Sequence, residues 1–164
     1  MKYIFLIIIV CICTFVGYAF SKKYKIRANF FQSLLYLCQK FDIEINYSRE
    51  RLKNIFLNLD DKNKNSLKGI DKNYIAFIDK EVPLDKDSLF KGINFLKDNE
   101  KDLIFTFFKS LGRSDVDSQS KEIKNFQMRF DELVSTTTQE NKKYGALSIK
   151  LGLIVGLIVV VIFI

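Results

Sequence analysis

Histidine and tryptophan are absent from the 164 residues, proline occurs once and cysteine three times. Without histidine there is no His-based triad and no His-ligated metal site, and cysteines at positions 11, 13 and 38 make no disulfide framework. No nucleophile stands beside a candidate base. The expectation is a protein that is not an enzyme and that has no catalytic residues, cofactor or metal.

Apolar residues are abundant, 48% of the chain, and they gather at its two ends. The run Tyr3–Phe20 has 18 residues without a charge, about 27 Å of helix and close to the hydrocarbon thickness of a bilayer. A second run, Ala146–Ile164, carries only Lys150, whose ammonium can snorkel to the interface. The predicted organisation is a transmembrane helix over 1–21, a cytoplasmic helical-bundle domain over 22–143, and a transmembrane helix over 144–164. A middle of that length has room for one core.

Of the 26 basic residues, Lys2, Lys22, Lys23, Lys25, Arg27, Lys142, Lys143 and Lys150 flank or enter the apolar runs. The 18 that remain fall with all 19 acidic residues between Ala28 and Asn141, where the net charge is 18 − 19 = −1. The excess charge therefore belongs to the membrane flanks and is no nucleic-acid footprint. Basic residues just after the first run and just before the second place the middle on the cytoplasmic side. The rival reading is a cleaved signal peptide, because Gly17 and Ala19 have the small-x-small spacing of a cleavage site. The middle would then be a surface-exposed binding module held by its carboxyl-terminal span.

Ser148, Gly152 and Gly156 recur every four residues in the second span, as Cys13 and Gly17 do in the first. This spacing lets helix backbones approach closely in lipid. The partner face could be the chain's own first span, a second copy in a homo-oligomer, or another subunit.

The middle reads as helix throughout, about six helices in all. Ile26, Phe30, Phe31, Leu34, Leu35, Leu37, Cys38 and Phe41 have the spacing of one broad helical face. Ser48 is placed to cap a short helix bearing Leu52, Ile55, Phe56 and Leu59. The stretch from Asp61 to Ser66 is expected to be a surface loop. Ile70 to Ile78 is again helical, with Pro83 at or beyond its end. Leu89, Phe90, Ile93 and Leu96 suggest a further short helix. Asn99 with Asp102 resembles a capping pair for Leu103, Ile104, Phe107, Phe108 and Leu111. Gly112 stops that helix. Ser114 with Asp117 starts the last one, through Ile123, Phe126, Phe130, Leu133 and Val134. Unbroken to Ile164 it would be about 75 Å long, with Gly145 or Thr136–Thr138 as places to bend.

Asp61, Asn63 and Asn65 open like a calcium loop, but Ser66 stands where the turn needs glycine and Lys72 where a glutamate should close the site. Cys11 and Cys13 have no acidic or histidine partner nearby and read as packing residues, and Cys38 as a buried thiol.

The segment EKDLIFTFFKSLGRSDVDSQSKEI, Glu100 to Ile123, carries Leu111, Gly112, Ser114, Asp115 and Gln119 in a pattern that resembles the stage III sporulation protein AB family. Glu44, Ile45, Tyr47 and Leu52 are an earlier match, and the ending from Lys150-Leu151-Gly152 to Ile164 is also similar. Ser48-Arg49-Glu50-Arg51 replaces a proline-containing turn of the family, and a tryptophan common before its long acidic helix is missing. The resemblance implies a membrane-anchored platform subunit of the channel between mother cell and forespore. Its body would be similar to the cytoplasmic helical domains of the type II secretion and type IV pilus platform protein. The implied partners are the mother cell membrane facing the forespore, a cytoplasmic secretion-type ATPase and other channel subunits. The turn at 111–119 is expected to expose Arg113, Asp115 and Gln119 for such a contact; the plainer alternative is that Gly112 and Ser114 only end one helix and begin the next.

Overall fold

The computed structural model describes residues 2–47, 52–67, 69–80, 83–112 and 115–163. Among them there is helix and no strand: α1 (Lys2–Tyr47), α2 (Leu52–Leu57), α3 (Asp61–Ser66), α4 (Ile70–Lys80), α5 (Lys86–Leu89), α6 (Asp98–Ser110), α7 (Val116–Glu140), a π-helical turn (Asn141–Gly145) and α8 (Ala146–Phe163). The protein is all-α. The chain divides into two compact units, residues 29–134 and residues 1–28 with 135–164.

The first unit, the body, is built on aromatic rings. Phe30, Phe31, Leu34, Leu37, Cys38 and Phe41 of α1 are buried on the face their spacing defines, whereas Ile26, expected on that face, is 41% exposed. Ile55 and Phe56 of α2, Tyr74 of α4, Phe107 and Phe108 of α6 and Phe126 and Phe130 of α7 complete the core. Tyr74 lies 4.7 Å from the Phe108 ring centroid, and its hydroxyl donates to the Phe108 carbonyl at 3.3 Å, so the buried phenol oxygen has a partner. Ile45 and Leu52 pack against the edge of this core.

Three local expectations change. Asp61–Ser66 is helix, not loop, because the Asp60 carboxylate caps it by accepting from the Asn63 backbone and the Asn63 side chain, and Asp61 favours the positive end of the helix. It is nonetheless a surface element with no buried residue. The short helix read from Leu89 to Leu96 stops at Leu89: Gly92 has φ +83°, which breaks the helix, while Phe90, Ile93 and Leu96 are still buried. In α6 the pair is not Asn99 and Asp102. The helix starts at Asp98, and the Glu100 carboxylate reaches back to accept from the Lys97 backbone N–H at 2.9 Å. The proposed cap Ser48 lies outside the described residues.

The second unit is an antiparallel pair of apolar helices, α1 up to Ala28 and the chain from Ser135 through α8. Both are long and apolar enough to cross a membrane. Two hydroxyls in this unit bond within their own helix, Thr14 to the Val10 carbonyl at 2.8 Å and Ser148 to the Tyr144 carbonyl at 2.7 Å, which satisfies them away from water. Between α7 and α8 the helix passes through the π turn that contains Gly145; residues 136–138 are regular helix.

Candidate functional site

Two places carry the residues singled out by the sequence. The first is the seam between the apolar helices. A Cβ built on Gly17 would stand 2.5 Å from the Ser148 carbonyl oxygen and 3.3 Å from the Gly152 Cα; one on Gly152 would stand 2.7 Å from the Cys13 carbonyl oxygen; and one on Gly156 would meet the Val10 Cα at 3.1 Å. The small residues of both spans therefore face each other, and the partner of the Ser148, Gly152 and Gly156 face is the chain's own first span. Backbones pass closely enough here that only hydrogen fits between them.

The second place is the turn between α6 and α7. Leu111 is buried and Gly112 has φ +76°, the left-handed conformation expected of a glycine just past the last apolar residue of a helix. Gly112→Val should lower stability by about 1–3 kcal/mol, since a β-branched side chain resists this φ and a Cβ would also press on Leu52 at 3.3 Å. Urea denaturation of the full chain in mild detergent would read the loss; an unchanged midpoint would contradict this role for Gly112.

Asp115 is exposed and caps α7, accepting from the Ser118 N–H at 3.1 Å. Its hydrogen bonds with Ser118 hold its carboxyl below the usual carboxylate range. Arg113 and Ser114 lie outside the described residues. Gln119 corrects the expectation that it would be exposed. It is 6% exposed, and its amide nitrogen has no hydrogen-bond partner among the described residues. The reason is register: Gln119 is four residues before Ile123 and seven before Phe126, both on the buried face of α7.

A polar seam between α1 and α7 within the body was not singled out from the sequence. Ser120 donates to the Asp42 carboxylate at 2.7 Å and receives the Asn46 amide at 3.2 Å, and the Cys38 thiol lies 3.6 Å from the Ile123 carbonyl. Burial pushes the Cys38 thiol well above its ordinary pKa, and the Asp42 charge adds to this. The available signal was helical spacing, because Asp42 follows Cys38 by four residues and borders the apolar face. In the apolar pair the missed interaction is Arg27 with Glu140, an ion pair in which Arg27 is buried. Glu140 could have been noticed as the one carboxylate among the basic flanks of the spans. Asn63 of the rejected calcium stretch is turned back to its helix cap. Among the described residues no three carboxylate or thiol side chains cluster as metal ligands would.

A helical body joined to an antiparallel pair of apolar, glycine-seamed helices defines an all-α membrane protein. The family model for stage III sporulation protein AB matches residues 2–164, and the chain belongs to that family, which gives it a role in sporulation. No curated protein matches the chain. No solved structure matches it either.

Proposed function

We propose that the chain is a platform subunit of the mother cell to forespore channel, anchored in the mother cell membrane with its body cytoplasmic. In that place it docks a secretion-type ATPase to membrane-embedded channel parts by contact, without turning over a substrate. The observation that carries this reading is that the chain enters the body within α1 and leaves it within α7, and that both chain ends belong to the apolar pair. The close seat of Gly17 against Ser148 and Gly152 supports retention of the first span over its removal as a signal peptide. Co-purification from sporulating cells in mild detergent should bring down the ATPase; its consistent absence would sink the docking role.

The exposed start of α7, at Asp115, is the contact offered to that partner. Asp115→Lys should reduce ATPase pull-down severalfold while the body stays folded. Binding and folding both unchanged would remove the turn from the contact surface.

Sidedness has its own test. A cysteine at Lys64, on the surface helix α3, should be protected from an impermeant thiol reagent in intact cells and labelled after lysis. Strong labelling of intact cells would place the body outside. Cys38 is fully buried with a thiol resistant to ionisation, so it should stay unlabelled on either side until the body is denatured.

A further inference from the structure

The net charge of the chain is confined to one unit. Residues 1–28 and 135–164 hold eight basic residues and one acidic, and 26 − 8 basic and 19 − 1 acidic leave 18 of each sign in residues 29–134. The body is electrically balanced, and the formal +7 sits on the apolar pair.

Within the pair most of this charge is gathered at one level. Lys22, Lys23 and Lys25 on α1 and Lys142 and Lys143 in the π turn are all exposed. Antiparallel pairing brings the two groups together: the Tyr24 and Tyr144 rings are 5.8 Å apart, and a Cβ on Gly145 would lie 3.5 Å from the Ser21 hydroxyl. Arg27, the remaining cation at this level, is buried and ion-paired to Glu140. The single acidic side chain of the unit is thus engaged by a buried guanidinium while the five lysines are exposed, the Lys143 ammonium lying 5.3 Å from the Tyr144 ring centroid. Paired tyrosines are the side chains that settle at headgroup depth, and lysine is a compact cation suited to phosphate. Directly below the collar an open apolar groove begins at Phe20 and runs past Val16 and Ile12 on one wall, with Leu151 and Val155 on the other. A phosphate above an apolar groove is the outline of a phospholipid.

We propose that this collar of lysines and tyrosines, with the groove beneath it, is a binding site for anionic phospholipids, selected over zwitterionic ones. The site rests on α1 and α8 crossing the bilayer. It depends neither on which side the body faces nor on an ATPase, so its failure and that of the docking role are read separately.

The test uses the full chain in phosphatidylcholine vesicles with trace spin-labelled phosphatidylglycerol or phosphatidylcholine. Electron paramagnetic resonance should show the anionic label held at the protein roughly three- to tenfold more strongly than the neutral one. Joint Lys22→Gln, Lys23→Gln, Lys25→Gln, Lys142→Gln and Lys143→Gln substitution should bring the two labels to parity with helix content unchanged. Lys142→Gln with Lys143→Gln alone, which disturbs insertion less, should lose part of the preference. Inorganic phosphate in excess, compared with chloride of equal ionic strength, should leave the preference in place. Equal retention by the unaltered chain overturns the proposal, as does a preference that survives all five substitutions. Displacement by phosphate would mark a site for the free ion and would overturn it as well.

Discussion

Phe107→Ala should cost about 3–5 kcal/mol of stability, out of a total on the order of 5–15 kcal/mol for a domain. Phe107 is fully buried, and its ring lies 6.1 Å from that of Phe41 on α1, 5.2 Å from Phe108, and 5.3 Å from both Phe126 and Phe130 on α7. Truncation therefore removes the buried area of one ring and four ring contacts at once, three of them edge-on. No neighbour is positioned to refill the space without giving up contacts of its own. Urea denaturation of the full chain in mild detergent, followed by circular dichroism, would read the loss. Phe107→Leu, which keeps much of the volume, should lose distinctly less. A loss below about 1 kcal/mol for the alanine variant would contradict close packing.

Gly17→Ala carries the second large effect, although alanine is ordinarily harmless in a membrane helix. A methyl group at position 17 would stand 2.5 Å from the Ser148 carbonyl oxygen, a backbone atom with no side-chain freedom to move away. The helices must separate or rotate, and the van der Waals contact that holds them in lipid is lost along the seam. Proximity can be read chemically. The Tyr24 and Tyr144 rings lie 5.8 Å apart across the same pair, so Tyr24→Cys with Tyr144→Cys, and Cys11, Cys13 and Cys38 changed to serine, should be joined by a short bifunctional thiol reagent. Adding Gly17→Ala should cut the yield several-fold. Equal cross-linking in both backgrounds would show that the seam is looser than the glycines imply.

The residues at these two places were legible to different degrees. The Phe107 face follows from spacing alone, because residues 104, 107, 108 and 111 fall on one side of any helix. The left-handed turn at Gly112 was equally plain, since glycine after a final apolar residue stops a helix at little steric cost. The start of the last helix, expected at Ser114 with Asp117, is capped one residue later: both residue types cap well, and the bond from the Ser118 N–H shows the Asp115 carboxylate in that place. At Gln119 polarity does not mean exposure, because the register of Ile123 and Phe126 turns position 119 inward. The helix at Asp61 was hidden by its asparagines and charges, which score as loop until the Asp60 cap bonds are seen.

The sequence by itself determined the helical class, the two apolar ends, their basic flanks and the family, because periodicity, run length and charge placement are properties of order along the chain. Only the tertiary structure decided that the small residues of the two spans serve each other, that Arg27 takes up Glu140, and that Asp42, Ser120 and Asn46 join within the body. Those facts depend on which faces meet across long separations in sequence, and a helical pattern specifies a face without specifying its partner.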